Sequence, residues 1–183
     1  MSPIPLGIVA ASGAGAPSDF ELISTQELTS TASNIYFTGI DTQYKHLQLR
    51  MSLRSNRASS LADVYLRFNA DALSNYSYHQ FYGNGSSFGS LGAAGMGQIF
   101  TGYATGSTFG GDVFAVTILD ILDFSSSQKL TTTRSLTGMS GTNNQLRHLS
   151  GLWNDYSPVS SIQITPEEGS FIAGSRFSLY GIR

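Results

Sequence analysis

The acidic pair Asp120 and Asp123, in the run Asp-Ile-Leu-Asp, comes nearest in this sequence to a catalytic site. Two carboxyl groups on one side of a cleft can hydrolyse a glycosidic bond, one as acid and the other as base or nucleophile. A spacing of three residues, however, sends the two side chains to opposite faces of a regular strand unless a bulge intervenes. The sequence therefore predicts that Asp120 ends a strand in a hydrogen-bonded or ion-paired state and that Asp123 opens a turn.

Three histidines and one glycine-flanked serine run are the other candidates for chemistry. His46, His79 and His148 lie in three different expected strands, and none belongs to an H-x-H, H-E-x-x-H or histidine–carboxylate motif. The run Gly85-Ser-Ser-Phe-Gly89 lacks the G-x-S-x-G pattern of an acyl-transfer nucleophile. We therefore predict a protein that is not an enzyme, with no catalytic, cofactor-binding or metal-binding residue and with no cofactor.

Aromatic residues are concentrated between positions 76 and 88, where they could stack on sugar rings as they do on lectin-like surfaces. The set comprises Tyr76, Tyr78, Phe81, Tyr82 and Phe88. Packing in the core or in a subunit interface is the alternative, which the sequence favours because aromatic residues dominate both kinds of contact. The sole tryptophan, Trp153, is expected in the core.

An uncharged segment, residues 72–111, is the main compositional feature of the chain. It contains no Asp, Glu, Lys or Arg, and ten of the twenty glycines fall between Gly83 and Gly111. On the surface of a free monomer such a segment would lower solubility. We therefore expect residues 72–111 to be covered by neighbouring molecules in an assembly.

Charge and cysteine content restrict the classes of partner and site. Charged residues are 12% of the chain and the net charge is -2, so nucleic acid is not an expected partner. Arg50, Arg54 and Arg57 are more simply a solvated strand face than a nucleic-acid patch. The absence of cysteine removes thiolate chemistry, cysteine-based zinc sites and disulfides. No stretch approaches the roughly 18 apolar residues of a membrane helix, and a membrane is not expected as a partner.

A hydrophobic period of two predicts strands through most of the chain. It is clearest at 45–53, where Leu47, Leu49, Met51 and Leu53 alternate with polar residues, and it recurs in Val64, Leu66 and Phe68 and in Ile35 and Phe37. Between 113 and 122 both faces are apolar until Asp120, which predicts a strand buried on both sides at the centre of the core. Further strands are expected at 20–28, 76–82, 130–136, 145–153, 160–165 and 176–182.

These elements predict the fold class. Asn84-Gly85 is a hairpin dipeptide, and no window carries a capped helical stripe. Short strands with frequent turns imply an all-β, antiparallel β-sandwich, for which a jelly roll is the favoured form. We expect one sandwich domain at 20–183, preceded at 1–19 by an extended N-terminal arm that its prolines hold in polyproline or β conformation.

Several short motifs distributed along the chain point to a known family. They are Tyr44-Lys-His-Leu-Gln48, Arg67-Phe-Asn69, Ser74-Asn-Tyr76, Asp120-Ile-Leu-Asp123, Ser150-Gly-Leu-Trp153 and Ala173-Gly-Ser-Arg-Phe-Ser-Leu-Tyr-Gly-Ile182. Together they resemble a family of tailed-bacteriophage virion proteins of aquatic, cyanophage-like phages, over residues 20–183. The opening Pro3-Ile-Pro-Leu-Gly-Ile-Val-Ala-Ala-Ser12 is also similar to that family. The resemblance implies a place in the particle and supplies no catalytic residues.

The resemblance and the composition lead to one expectation of function. The protein would be a structural protein on the exterior of a phage virion, and a capsid decoration or cement protein is the favoured specific role. Residues 1–19 would bind other virion proteins, such as the major capsid protein or tail proteins, and residues 72–111 would join copies into a homo-oligomer, with a trimer favoured. The alternative is a tail or head-fibre module that binds host-surface glycans. A polysaccharide depolymerase is disfavoured because it needs two carboxylates in one cleft.

Overall fold

The computed structural model describes residues 19–183, which fold into twelve β-strands. The expected arm, apart from Asp19, lies outside the described residues. The strands are β1 (Phe20–Glu27), β2 (Ile35–Thr38), β3 (His46–Leu53), β4 (Leu61–Phe68), β5 (Tyr76–Gly83), β6 (Phe88–Met96), β7 (Ile99–Thr105), β8 (Ala115–Leu122), β9 (Thr131–Met139), β10 (Gln145–Trp153), β11 (Ser161–Pro166) and β12 (Arg176–Ile182). Among these residues no helix has the length and apolar character needed to cross a membrane.

The strands form two sheets. The large sheet has eight strands in the order β1-β12-β3-β8-β9-β10-β5-β6, and the small sheet has four in the order β2-β11-β4-β7. Neighbouring strands in both sheets are antiparallel. Strands that are far apart in sequence pair with one another; for example, β12 lies between β1 and β3. The prediction of an all-β, antiparallel, jelly-roll-like sandwich is confirmed.

The core lies between the inner faces of the two sheets. The alternation read from the sequence decides which side chains enter it: Leu47, Leu49, Met51 and Leu53 of β3 are buried, as are Val64, Leu66 and Phe68 of β4. Trp153 is 1% exposed, and its ring packs against those of Phe68 and Tyr76. The predicted core position of the tryptophan is therefore confirmed.

Strand β8 differs from the prediction that it is buried on both faces. Ala115, Thr117, Leu119 and Ile121 point inward and are buried. The alternate side chains are exposed: Val116 by 54%, Ile118 by 40% and Leu122 by 36%. The reason is that the small sheet covers only one face of the large sheet, so a strand that is apolar on both faces leaves one of them uncovered.

The uncharged segment also differs from expectation. It contains two strands, β6 and β7, that were not anticipated in this glycine-rich stretch, and β7 packs inside the molecule with Ile99, Phe100 and Ala104 buried. The expectation that residues 72–111 as a whole form an intermolecular surface is therefore wrong for β7, as it is for the buried Tyr76 and Phe109. β6 remains largely exposed, as do Leu73, Phe81 and the turn residues Ser107 and Thr108.

Candidate functional site on the outer face of the large sheet

The outer face of the large sheet carries a contiguous set of exposed apolar side chains. The strand register places Val116, Leu146 and Phe88 in one row across the sheet, with Gly138 and Gly83 between them. The next row contains Ile118, Leu136, His148 and Phe81. We call the six apolar members the apolar patch: Val116, Ile118, Leu136, Leu146, Phe81 and Phe88, each at least 40% exposed.

A polar row borders the apolar patch on the same face. In this row Gln48, Asp120, Arg134, Ser150 and His79 occupy neighbouring strands in register. The carboxylate of Asp120 accepts hydrogen bonds from Gln48 Nε2 and from an Arg134 guanidinium nitrogen, each at 2.8 Å. The apolar patch and the polar row together give a surface that is apolar on one side and carries the paired charges of Asp120 and Arg134 on the other.

Shallow grooves lie on this face, both between the polar row and the apolar patch and within the patch itself. One, of about 480 Å³, is lined by Ile118, Asp120, Arg134, Leu136 and His148. A second, about 240 Å³, lies further toward the β6 edge, between Leu136, Leu146, Phe81 and Phe88. The outer face therefore offers a corrugated surface that an extended chain, a flat protein face or a sugar ring could contact.

The structure separates the two candidate catalytic carboxylates. Asp120 lies on the outer face and is ion-paired as predicted, with Arg134 as the partner, but β8 continues for two residues beyond it. Asp123 follows β8 with a positive φ of 52°, opens a turn by accepting from the Ser126 amide, and pairs with Lys129 at 3.1 Å. Each carboxylate is held by its own cation, which agrees with the prediction of two structural roles.

The three histidines have two different environments. His46 Nδ1 accepts a hydrogen bond of 3.0 Å from the Asp123 amide, which fixes the turn after β8. His79 and His148 are exposed on the outer face and line one groove together with Phe81 and Arg134. Residues 19–183 contain no group of three or more potential metal ligands. The proximity of His79 to His148 was not foreseen, because it depends on the β5–β10 register.

The aromatic set of residues 76–88 is divided between the two faces of the sheet. Tyr76 is buried, and burial raises the pKa of its hydroxyl to about 12. The Tyr78 ring packs against Phe100 on the inner side, at 5.7 Å between centroids. Phe81 and Phe88 are 60% and 90% exposed. Only these two aromatic residues of the five are members of the apolar patch.

A buried arginine on the inner side of the large sheet was missed by sequence reasoning. The Arg147 guanidinium lies 4.6 Å from the Tyr82 ring centroid and 4.4 Å from that of Tyr103. It donates to Gln80 Oε1 at 2.6 Å, while its Nε has no partner. Cation–π contacts on both sides stabilise this charge where β7 meets β10 and β5. No local signal in the sequence separates Arg147 from the exposed arginines.

Comparisons with known proteins show likeness of fold only. No protein-family model and no curated protein matches the chain. The exo-inulinase of Aspergillus awamori is 12% identical with a TM-score of 0.43, over 88% of this chain and 29% of the enzyme. The galectin LEC-6 of Caenorhabditis elegans is 11% identical with a TM-score of 0.37, over 84% of this chain and 94% of the galectin. The chain thus spans less than a third of the inulinase, and neither likeness carries a conclusion about function.

Proposed function

We propose that the chain is a non-enzymatic structural protein on the exterior of a tailed-phage virion. The specific role that we favour is that of a capsid decoration or cement protein. The resemblance of its motifs to a phage virion family supports this proposed location. The observation that carries the proposal is the apolar patch, because a set of neighbouring exposed apolar side chains on one sheet face is typical of a surface that binds another protein.

The physical role of the apolar patch is to bind a neighbour in the particle. Covering apolar surface is favourable by roughly 25 cal/mol per Å², and a modest contact repeated over many copies adds up on a shell. The paired charges of Asp120 and Arg134 beside the patch would fix the orientation of the neighbour without leaving a charge unpaired. Both features suit a passive adhesive surface better than a reaction centre.

The arm at residues 1–19 is proposed to anchor the protein to the underlying shell. Asp19 accepts a hydrogen bond from the Arg183 amide, and Phe20 begins β1, which is an edge strand of the large sheet. Asp19 and the start of β1 therefore lie at the periphery of the sandwich. We expect the domain to fold without the segment that precedes them.

Deletion of residues 1–19 tests the anchoring role in particles assembled with the truncated protein. We expect the truncated chain to keep its β-sheet circular dichroism and its unfolding transition and to be absent from purified virions. A second variant, Leu136→Ser with Leu146→Ser, keeps the arm and changes the apolar patch, so it measures the contribution of the patch separately and should lower the copy number in virions. Incorporation of the truncated protein at the wild-type copy number would exclude the anchoring role. Detection of the full-length protein only outside purified virions would exclude the proposed location.

A host-glycan-binding module is the second candidate, favoured by one observation. The exposed Phe81 ring lies on the outer face with the His79 ring at 5.1 Å between centroids, and it shares a groove with Arg134 and His148. An exposed aromatic ring beside polar groups is the arrangement that stacks on a sugar.

Glycan-array binding of single variants tests this second candidate. Tyr76 is buried, so its replacement would disturb the core rather than a binding surface. We expect a glycan-binding module to lose array binding in Phe81→Ala and to keep it in Phe88→Ala, since Phe88 does not line the groove that Phe81 shares with Arg134 and the two histidines. Hundreds of copies per particle by quantitative mass spectrometry would favour decoration instead.

A further inference from the structure

Strand β6 is an unprotected edge of the large sheet. It pairs with β5 on one side, and among residues 19–183 no backbone or side-chain group bonds to its other side. The pairing is regular from Phe88 to Ala94, and a bulge at Gly95, with a φ of 67°, interrupts it before Met96 pairs with Tyr76. Seven residues of regularly paired edge extend over roughly 24 Å, at about 3.4 Å per residue.

The other edges of the two sheets carry the devices that prevent edge pairing. β1 carries Glu21 and Glu27, and the carbonyl of Tyr36 in the short β2 accepts a hydrogen bond from the Gln26 side chain. In β7 the carbonyl of Thr101 accepts bonds from the hydroxyl groups of Ser135 and Thr137. β6, by contrast, has no charged residue and no proline. Such an edge is a template for another strand.

The side chains of β6 are complementary to those of a second, antiparallel β6. If Leu91 lies opposite itself, Phe88 lies opposite Ala94, Gly89 opposite Ala93 and Ser90 opposite Gly92. Each bulky residue then meets a small one except at the centre, where two leucines meet. Phe88 and Leu91, which are 90% and 43% exposed in the single chain, both become covered.

We propose that β6 pairs antiparallel with β6 of a second copy about a two-fold axis, joining two large sheets into one continuous sheet. The symmetry follows because a strand that pairs with itself makes an isologous contact. This proposal rests on the proposed function only for the premise that copies of the protein contact one another. The pairing itself follows from the properties of the β6 edge. It specifies a dimeric contact, where the sequence favoured a trimer.

A single cysteine tests the register, because the chain has none of its own. Directly opposed residues of antiparallel strands have Cα atoms about 4.5–5.5 Å apart, within disulfide range. We expect Leu91→Cys to form a covalent dimer under mild oxidation. Leu22→Cys, at a 54% exposed leucine on the opposite edge of the same sheet, is the control and should remain a single chain. Equal cross-linking of the two variants would overturn the proposal.

Light scattering on the unmodified, full-length protein gives an independent reading. We expect twice the chain mass of 19.6 kDa. Leu91→Lys places two ammonium groups opposite each other and should give the monomer mass, while Leu22→Lys should leave the dimer intact. A monomeric or trimeric wild-type protein overturns the inference. A dimer that is absent from virions would overturn the proposed function and leave the inference standing, so the two failures are distinguishable.

Discussion

The indole Nε1–H of Trp153 donates a hydrogen bond of 2.8 Å to Oδ2 of Asp71, which joins the buried end of β10 to the turn after β4. The same carboxylate accepts from Asn75 Nδ2 at 2.9 Å and from the Leu73 amide at 2.8 Å. One acidic side chain therefore satisfies the polar atom of the largest core residue and also fixes the turn that leads into β5.

Replacement of Asp71 by alanine should lower the free energy of unfolding. The Trp153 N–H would lose its acceptor at the edge of the core, which costs about 1–3 kcal/mol. Urea unfolding followed by the fluorescence of Trp153, the only tryptophan, measures the change directly. Asp112→Ala is the matched control, because Asp112 is a fully exposed partner of Arg54 and its loss should leave the midpoint unchanged. Equal midpoints for the Asp71 and Asp112 variants would contradict the prediction.

Asp71 should also make the stability depend on pH. Burial alone would raise the pKa of its carboxyl, but the hydrogen bonds from Trp153, Asn75 and the Leu73 amide outweigh burial and lower the pKa. A lowered pKa in the folded state contributes stability above the ordinary value of about 3.9, and this contribution is lost as the pH falls through the folded pKa. We expect the stability difference between wild type and Asp71→Asn to shrink below about pH 4.

The pH experiment needs the variant, since another carboxyl acts in the opposite direction. Burial and the nearby Glu167 carboxylate raise the pKa of Asp63. Its protonation on acidification therefore relieves a cost in the folded state, and wild-type data alone would sum the two effects. A stability difference between wild type and Asp71→Asn that stays constant from pH 6 to pH 3, values that bracket the ordinary carboxyl pKa, would contradict the role given to Asp71.

Alternation predicted the strands whose two faces differ in polarity. In β3 and β4 apolar residues on the buried face alternate with polar residues, and both strands were recognised from that period. The predicted ranges 145–153 and 176–182 also match β10 and β12 in full. β8 has Val116 and Ile118 on its outer face, so the period of two disappears and the strand was assigned to the interior. β6 and β7 were missed because glycine lowers strand propensity and has no side chain to show a period.

The candidate site was less predictable than the fold. Phe81 and His79 were singled out by residue type, but their position beside His148 and Leu136 follows from the pairing of β5 with β10 and of β10 with β9. A single sequence shows which residues share a face of one strand. It does not show which strands are neighbours, so a surface made from five strands becomes visible only with the register.

Alanine substitutions at two adjacent positions of β8 should have different effects on the free energy of unfolding, because the two side chains lie on opposite faces of the sheet. Leu119 is 1% exposed and its truncation should cost about 2–5 kcal/mol, because it removes buried contacts and leaves a cavity. Ile118 is 40% exposed and packs in the apolar patch, so Ile118→Ala should change the free energy of unfolding by less than about 1 kcal/mol. Chemical denaturation of the two variants gives both values. Similar losses for both would mean that the outer face of β8 is covered within the folded chain.

The close approach of β7 to β9 should make Gly102 irreplaceable. Its φ is 138°, and a Cβ at this position would lie 2.0 Å from Thr137 Oγ1, which bonds to the Thr117 hydroxyl at 2.7 Å. Gly102→Ala must therefore strain the backbone and displace a buried hydroxyl pair, and overpacking alone costs about 1–3 kcal/mol. Gly138→Ala is the control in the facing strand, because the nearest atom to its Cβ is 3.8 Å away. Thermal unfolding should show a lower midpoint for Gly102→Ala only, and equal midpoints would mean that β7 does not enter the sandwich at this depth.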